Sequence, residues 1–466
     1  VVLDANMIKY ELELAYHQAV SGRPGPVWLD IPLDIQDSQV DESQLPSYQP
    51  EVDEKLSQGT QLTNDVKNAL EMIKNAKRPL LLCGNGIHLS KSEELLKKLI
   101  AKLNIPVVLP DAAKDLIAED HPLYMGIFGT AGQRRANFAV QNSDCILSLG
   151  AGLCIKKVGF NYKGFAPNAK KIIVDIDEGQ LFHQVLTPDL PIQADVRFFM
   201  EEMLEQLNTV TVESPAKWLE ACTHWKDRYP LIVDEYYTDK DFVNSYVFID
   251  KLSDLLSNTD ALVAGNGLDT VSYLQVFKVK EGQRTYTSIN WGAMGWDLPL
   301  AVGTCIGNGK KRTICVTGDG SLQWNVQELL TIKNYNLPVK IFLFNNRGYS
   351  SIRATQKTFY NGRFVGSDES SGVSNPNFEY LAKAYGLEYV NIQNNDGIEQ
   401  GIQQTLKLDG PVLCEVNISP EQGITPKASS FVREDGTIES RPLEDMFPFL
   451  PREEIWENMH LFDNDN

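Results

Sequence analysis

Two short polar motifs in the C-terminal half of the chain combine residue types that bind a divalent cation and a phosphate. The first is Gly-Asp-Gly-Ser at 318–321, directly after the apolar run 313–317, and the second is Asn-Asn at 345–346, at the end of the apolar run 339–344. A carboxylate and an amide carbonyl suit Mg²⁺, which takes few protein ligands and completes its octahedron with phosphate oxygens and water. Glycines let a backbone approach a phosphate closely. The two motifs together predict a magnesium diphosphate site.

These motifs can meet only if the flanking segments fold as a strand-helix-strand unit. Both apolar runs read as buried strands, and an amphipathic helix is predicted over 322–336. A right-handed crossover makes the strands parallel, so Asp319 and Asn346 lie together at their carboxyl ends, where open α/β sheets bind ligands and the next helix offers free N–H groups. Each motif alone has a structural alternative, since Gly-Asp-Gly is a common turn and Asn-Asn can simply end a strand. Their combination, 27 residues apart, favours the binding site.

Apolar strands alternate with helical patterns over most of the chain, which is typical of doubly wound parallel sheets. In the first half, the predicted strands are 79–83, 105–109, 144–149 and 171–175, and the predicted helices are 62–75 and 90–103. In the second half, the predicted strands are 261–264, 284–289, 313–317, 339–344, 388–392 and 411–416, and the predicted helices are 242–256, 293–306, 322–336, 377–385 and 396–407. The fold class is therefore α/β, with a doubly wound parallel sheet in each of two domains.

Polar, weakly patterned stretches suggest where the domains begin and end. We predict the end of an α/β domain at 1–37, a linker at 38–58, a central Rossmann-like domain at 59–208, a second linker at 209–238, a magnesium diphosphate domain at 239–420 and a tail at 421–466. The chain starts immediately with an amphipathic segment, and the run 27–32 reads as a buried strand ended by a proline. We therefore expect an N-terminal portion to be missing.

Composition excludes several classes of partner. The chain has 62 acidic and 43 basic side chains among 466 residues, a formal charge of -19, which disfavours binding to nucleic acid or to an anionic membrane surface. No run reaches the roughly 18 to 20 apolar residues of a membrane span, and no signal-peptide pattern opens the chain. The seven cysteines have no CxxC spacing and read as reduced core residues. A cytoplasmic protein is expected.

The segment 313–349 closely resembles the thiamin-diphosphate signature, and 325–329 is similar to its acetolactate (acetohydroxyacid) synthase version. The resemblance covers nearly the whole chain: 22–32 is similar to the end of the family's pyrimidine-binding domain, and 290–295 to the loop whose methionine wedges under thiamin diphosphate. The resemblance implies Mg²⁺ ligands at Asp319, Asn346 and the Gly348 carbonyl, diphosphate contacts at Gly318, Gly320 and Ser321, and aminopyrimidine contacts at the Gly292 carbonyl and Met294.

The resemblance implies a physical role for Met294. A wedge that bends the cofactor brings the cofactor's own amino group against its reactive carbon, and such proximity lowers a barrier substantially. The alternative is a core methionine at a helix start, since methionine fills gaps in many cores.

The family also needs a glutamate early in the pyrimidine-binding domain, and this catalytic residue lies outside the chain. In the family it reaches the cofactor from a neighbouring subunit, so the resemblance implies a homodimer or homotetramer and a chain that is inactive by itself. The alternative is a degenerate, noncatalytic cofactor-binding subunit.

Two positions depart from the family pattern. Acetolactate synthases place a tryptophan in the acceptor pocket where this chain has Thr355, which opens room for a larger acceptor. The tail and the segment 360–366 are closer to acetolactate-synthase-like proteins of surface-sugar pathways, some of which act on a nucleotide-linked keto sugar.

An arginine that helps to hold FAD is replaced by Gly152, and Arg134, Arg135, Lys156 and Lys157 are the candidates to replace it. FAD is therefore doubtful.

The resemblance implies a thiamin-diphosphate and Mg²⁺ dependent carboligase that decarboxylates a 2-oxo acid, expected to be pyruvate, and transfers the acyl unit to a carbonyl acceptor. The alternatives are simple decarboxylation or oxidation of the same intermediate, and a cofactor-binding subunit without activity.

Overall fold

The computed structural model describes residues 1–50, 59–182, 186–213 and 215–462. Its two main sheets each contain six parallel strands with helices between them. The fold class predicted from the sequence is thus confirmed. Residues 51–58 of the predicted first linker, and the last four residues of the predicted tail, lie outside the described residues.

The first sheet has the strand order β3-β2-β1-β4-β5-β6. Its strands are β1 (Pro79–Cys83), β2 (Val107–Leu109), β3 (Tyr124–Ile127), β4 (Cys145–Leu149), β5 (Lys170–Asp175) and β6 (Leu190–Gln193). The helices before and around it are α1 (Ile8–Val20), α2 (Leu33–Gln36), α3 (Thr60–Lys74), α4 (Gly86–Leu89), α5 (Glu93–Leu103), α6 (Arg134–Asn142), α7 (Ile155–Val158), α8 (Glu178–Leu181), α9 (Val196–Gln206) and α10 (Ala216–Arg228).

The second sheet has the order β11-β12-β10-β9-β7-β8. Its strands are β7 (Ala261–Ala264), β8 (Thr285–Thr287), β9 (Thr313–Gly318), β10 (Val339–Asn345), β11 (Glu388–Ile392) and β12 (Val412–Asn417). Its helices are α11 (Ser245–Leu255), α12 (Leu268–Val276), α13 (Asp297–Gly307), α14 (Asp319–Trp324), α15 (Glu328–Asn334), α16 (Ser350–Phe359), α17 (Phe378–Tyr385) and α18 (Ile398–Lys407). An antiparallel pair, β13 (Ser430–Val432) and β14 (Ile438–Ser440), and the helix α19 (Arg452–Met459) follow in the tail.

Each sheet is covered on both faces, which explains why its central strands are apolar throughout. Leu81 and Leu82, neighbours in β1, are fully buried in two different core clusters, and Leu262 and Val263 of β7 behave in the same way. Side chains alternate between the faces of a strand, so a sheet packed on both sides needs an apolar residue at every position.

Several expectations about elements are wrong. The run 27–32 forms no strand, and Val27 and Trp28 are 44% and 91% exposed, because no described strand lies beside it to pair with. β3 and β6, the two edge strands of the first sheet, were not predicted; they contain Gly126 and Pro191. Proline is tolerated at a sheet edge, where it interrupts the apolar pattern.

The polar stretch 209–238 also contains more structure than its sequence pattern suggested. It includes α10, whose Trp218 and Trp225 are fully buried; the Trp218 indole N–H donates to the Pro79 carbonyl at 2.9 Å. Trp225 donates to Asn458 of α19 at 2.7 Å, which ties the tail to this helix. These aromatic side chains extend the core of the first sheet.

Hydrogen bonds connect the two sheet units. The Glu119 N–H donates to the Val279 carbonyl at 2.9 Å, and the Arg284 guanidinium contacts Asp115 at 3.0 Å.

Within the part of the chain that the structure describes, no helix has the length and apolar character to cross a membrane. All seven cysteines are free, and six are buried; Cys154 is exposed, so its predicted core position is wrong.

Candidate functional site

The two sequence motifs follow neighbouring parallel strands. β9 pairs with β10 in register, with Gly318 beside Phe344. Asp319 follows Gly318 directly and Asn346 comes two residues after Phe344, so both lie at the carboxyl edge of the sheet. The predicted helix 322–336 is in fact two helices, α14 and α15, with a break at 325–327. The Asn325 side chain reaches away at this break and donates to the Gly295 carbonyl at 2.6 Å.

Asp319 is a buried carboxylate that receives hydrogen bonds but contacts no cationic side chain among the described residues. Its Oδ1 accepts from the Gly320 N–H at 2.7 Å, and its Oδ2 accepts from the Gly348 N–H at 2.9 Å and the Asn375 amide at 2.7 Å. Burial raises the pKa of Asp319, and these donors oppose that rise. A bound dication would neutralise the buried charge.

Asn346 directs an unused ligand atom into the same place. Its Nδ2 donates to Ser350 at 3.2 Å, whereas its buried Oδ1 has no partner among the described residues. The adjacent Asn345 differs, because its amide donates to Glu415 at 2.7 Å and its oxygen accepts from Arg347 N–H at 3.2 Å. Buried oxygens normally have a partner. A carboxylate and an orphaned amide oxygen fit the ligand preferences of Mg²⁺.

Among the described residues, no three His, Cys, Asp or Glu side chains form a group that could hold a metal ion. The candidate magnesium site has a single carboxylate, so it does not belong to that class of site.

Position 348 accepts only a glycine. Its φ is +120°, and a Cβ there would stand 2.6 Å from the Ser367 carbonyl oxygen. Arg353, on α16, fixes the same loop by donating to the Asn346 carbonyl at 2.8 Å and to the Arg347 carbonyl at 3.2 Å. The backbone carrying the Gly348 carbonyl is therefore held on two sides.

Met294 meets the Gly-Asp-Gly-Ser motif at Gly320. A Cβ on Gly320 would stand 2.5 Å from Tyr349 Cε1 and 3.1 Å from Met294 Cε, so this site admits no side chain. A Cβ on Gly318 would meet no atom within 4 Å, which leaves open space beside the motif. The structure thus brings the predicted residues Met294, Gly318 and Gly320 together. The Gly320 N–H already donates to Asp319.

Ser321 is engaged with protein atoms rather than directed outward. Its hydroxyl donates to Asp297 at 2.8 Å and accepts from the Gly295 N–H at 2.8 Å. The Gly292 carbonyl accepts from the Asn266 amide at 2.6 Å, which leaves its second lone pair for a ligand. Ser321 therefore holds the loop that carries Met294.

No feature of the sequence indicates the roles of Asn375 and Arg353, and Asn325 is marked only as part of the motif 325–329. Each acts through contacts made by residues far away in the chain or by backbone carbonyls, and no local motif marks such a role. The break at Asn325 has a weak signal, because asparagine lowers helix propensity in a helix interior.

Thr355 lies on the exposed side of α16. Its hydroxyl donates to the Ser351 carbonyl at 3.1 Å, so it offers a ligand only its lone pairs. A threonine side chain is smaller than a tryptophan, so the space that an indole would fill at this position stays open.

A second concavity lies in the first sheet unit, where the strand order reverses between β1 and β4. This cavity of about 870 Å³ is lined by Gly86, Gly152, Asp175 and Trp291, among other residues. Its size and place are those of a nucleotide site.

The four cations that could replace the missing FAD-binding arginine all have protein partners. Lys156 donates to the Ile289 carbonyl at 2.8 Å, and Lys157 contacts Asp111 at 3.0 Å. Arg134 donates to the Met446 carbonyl at 3.2 Å and Arg135 pairs with Glu119. The residues near Gly152 therefore do not fit the anchoring role of that arginine.

Comparison with known proteins relates both sheet units to one kind of enzyme. Residues 66–207 match the family model described as thiamine pyrophosphate enzyme, central domain, and residues 265–416 match thiamine pyrophosphate enzyme, C-terminal TPP binding domain. The chain is 30% identical to the probable acetolactate synthase large subunit of Methanococcus aeolicus, over 93% of this chain and 74% of that protein. It is 29% identical to the acetolactate synthase large subunit of Cyanidium caldarium, over 91% and 72%, and 30% identical to the acetolactate synthase isozyme 1 large subunit of Escherichia coli K12, over 88% and 70%.

Proposed function

The chain belongs to the family of thiamin-diphosphate-dependent acetolactate synthases, and on this premise we propose that it is a Mg²⁺-dependent carboligase. It decarboxylates a 2-oxo acid, pyruvate in our proposal, and transfers the remaining acyl unit to the carbonyl carbon of an acceptor. Thiamin diphosphate, when bound, supplies the electron sink for this chemistry. The protein's own residues bind and orient the reactants and exclude water.

The observation that carries the proposal is the pair of an unpartnered Asn346 Oδ1 and a buried Asp319 carboxylate at the carboxyl ends of two neighbouring strands. Together with the Gly348 carbonyl, these atoms would hold Mg²⁺, which in turn would bind the diphosphate. Gly318 leaves room for the diphosphate, Gly320 lets Tyr349 and Met294 pack against the motif, and Ser321 holds the adjoining loop.

Met294 would orient the cofactor. It is half-buried and packs against Gly320, so its side chain reaches the diphosphate motif from the loop 290–295. The carbonyl of Gly292, in the same loop, has a lone pair left for the aminopyrimidine. Bulk without charge at position 294 supports a bent cofactor.

We propose a nucleotide-linked keto sugar as a second candidate acceptor. The small, exposed Thr355 favours it, because a threonine leaves space and a polar surface where the family pattern has an indole. The competing functions are a 2-oxo acid decarboxylase and a noncatalytic cofactor-binding subunit. We derive no step through FAD, since the cations near Gly152 do not fit its anchoring.

Binding by calorimetric titration tests the cofactor site. We expect thiamin diphosphate to bind the full-length protein only with Mg²⁺, and Asp319→Ala and Asn346→Ala to weaken binding on the order of 100-fold or more, since ligand deletions cost at least as much as the loss of outer-shell partners. Asn345→Ala is the matched control, because that amide already bonds Glu415 and should affect stability more than affinity. Unchanged, magnesium-dependent affinity in Asp319→Ala would remove the central claim.

Product analysis tests the reaction. Full-length protein with pyruvate and each acceptor should give a ligated product by mass. Acetaldehyde as the sole product would identify a decarboxylase, and cofactor binding without any product would identify a binding subunit.

A further inference from the structure

Two buried aspartates lie beside the candidate site and are not used by the function proposed above. Asp269 is the second residue of α12 and Asp297 the first residue of α13, and they are 2% and 0% exposed. A buried carboxyl group is costly unless its charge is compensated by hydrogen bonds or removed by a proton. The contacts of each aspartate therefore indicate which of the two is charged.

Asp297 has the contacts of an ionised carboxylate. Its Oδ2 accepts from the hydroxyls of Thr317 at 2.6 Å and Ser321 at 2.8 Å, and its Oδ1 accepts from the Leu298 N–H at 3.0 Å. Burial raises the pKa of Asp297, and these three donors oppose the rise. Three hydrogen bonds to the charged form make Asp297 the anion.

Asp269 is compensated only in part, because backbone hydrogen bonds lower its pKa against the rise from burial but leave one carboxyl oxygen, the buried Oδ2, without a partner in the described part of the chain. A Cβ on Gly265 would stand 2.7 Å from this oxygen and closer still to Asp297 Oδ2, so the two carboxyl oxygens lie over the same glycine. Buried carboxylates this close together do not both ionise.

We propose that Asp269 and Asp297 share one proton and act as positioning residues for the thiamin-diphosphate loop. Asp297 holds the Ser321 hydroxyl, which in turn holds the Gly295 N–H, next to Met294. The proton on Asp269 keeps the pair at a single negative charge beside an anionic diphosphate. This inference rests on the proposed function, because it takes the diphosphate to bind at 318–321.

The pair makes cofactor affinity depend on pH. Burial, and then the charge of Asp297, raise the pKa of Asp269 to about 7. Asp269 is neutral below that pH and ionised above it, so a rise in pH adds a second negative charge and should weaken diphosphate binding.

Other groups around Asp269 do not change charge in this range. β7 contributes only apolar side chains. The titratable side chains buried on the remaining elements that pack against α12, and on α12 itself, are Cys315 of β9, Tyr246 of α11, Tyr124 of β3 and Tyr273 of α12. Burial raises the pKa of each of these four groups above its ordinary value, away from neutral pH.

Calorimetric titration of thiamin diphosphate at a series of pH values, with Mg²⁺ and the full-length protein, tests the proposal. From pH 6 to pH 8.5 the Kd of the unmodified protein should rise on the order of tenfold more than that of Asp269→Asn, because about one proton is linked to binding. The amide that this substitution introduces is close in size to the carboxyl group, carries no charge and does not titrate. Comparing the two proteins at each pH cancels the titration of the cofactor itself.

Asp254→Asn is the control, since it removes an exposed carboxylate from the neighbouring helix α11 and should keep the pH dependence of the unmodified protein. Equal pH dependence in Asp269→Asn and the unmodified protein would overturn the shared proton.

Infrared spectroscopy tests the pair without the cofactor. The unmodified protein should show a protonated, buried carboxyl stretch at pH 6 that disappears by pH 8.5 and that Asp269→Asn lacks; absence of this band at pH 6, or its persistence in Asp269→Asn, would overturn the proposal. If that band is present but no pH gives magnesium-dependent cofactor binding, the pair stands and the proposed function fails.

Discussion

Thr355 tests at a single residue which acceptor the protein uses. Thr355→Trp should reduce kcat/KM for a nucleotide-linked keto sugar on the order of 100-fold while sparing pyruvate as acceptor, because the indole fills the space the larger molecule needs. Product mass with pyruvate as donor measures both. The matched control is Thr358→Trp, on the same helix, where the threonine hydroxyl makes the same kind of bond to the carbonyl four residues back. Efficient acetolactate formation with every sugar ignored would favour ordinary acetolactate synthesis.

Two buried lysines differ in whether hydrogen bonds compensate their charge, and this difference should decide how each charge affects the free energy of unfolding. Lys114 and Lys340 are 1% and 2% exposed, and burial lowers the pKa of each to about 8. The Nζ of Lys114 has no hydrogen bond in the described part of the chain and lies 3.8 Å from Glu119, whereas that of Lys340 donates to the carbonyls of Leu408 and Gly410.

Replacement of these lysines should therefore have opposite effects. At pH 7 we expect Lys114→Met to raise the free energy of unfolding by about 2 kcal/mol and Lys340→Met to lower it by about 2 kcal/mol. Each lysine binds its proton less tightly in the folded state, so between pH 8 and about 10.5 the unfolded state holds more protons and stability should rise with pH. Denaturant unfolding at pH 7 and pH 9.5 measures both effects; destabilisation by Lys114→Met would show that its charge is well solvated.

Single residues also show what a sequence can and cannot reveal about the site. Asp319 and Asn346 could be found because they follow two apolar runs at a fixed spacing. Asn375 and Arg353 could not, since their roles depend on a loop and a backbone turn that meet only in the folded protein. The pairing of Asp269 with Asp297 could not be found either, because these residues are 28 positions apart and no motif links them.

At the scale of elements, prediction succeeds in the middle of a sheet and fails at its edges. β1 and β7 have the predicted bounds because strands covered on both faces are apolar at each position. β3 and β6 lie at the edges and contain a glycine and a proline, which remove that pattern. The break between α14 and α15 depends on a tertiary contact, which helical periodicity does not encode.

That break predicts a role for Asn325. Asn325→Ala should remove the hydrogen bond to the Gly295 carbonyl, loosen the loop that carries Met294 and weaken thiamin-diphosphate binding about fivefold, as expected for the loss of roughly 1 kcal/mol. Titration calorimetry measures the affinity, and limited proteolysis at 290–296 measures the loop. Gln327→Ala is the control, because Gln327 contacts Asn325 at 3.0 Å without reaching the loop. Equal effects of the two substitutions would contradict the role.

At the scale of the whole molecule, the loop 290–295 is shared between the two sheet units. Lys156 and Lys157 of α7 contact Ile289 and Asn290, and Trp291 lines the cavity of the first unit while Met294 reaches Gly320 in the second. Relative movement of the two units would therefore move Met294. The interdomain bonds at Glu119 and Arg284 oppose such movement.

The surface around this loop predicts that the full-length protein assembles as a homodimer or larger. Trp291, in this loop, and Trp324, which packs beside Gly295, are 92% and 66% exposed, which is unusual for side chains of this size on a monomer's surface. If the cofactor needs a glutamate from a neighbouring subunit, this apolar surface is where that subunit should pack. Sedimentation of cofactor-loaded protein should show at least a dimer, and Trp324→Ser should raise the dissociation constant about tenfold or more, as for a buried aromatic anchor. Trp456→Ser, which removes a 61% exposed tryptophan from α19 in the tail, should leave assembly unchanged. An active monomer would contradict the shared site, because one chain would then supply every group that the reaction requires.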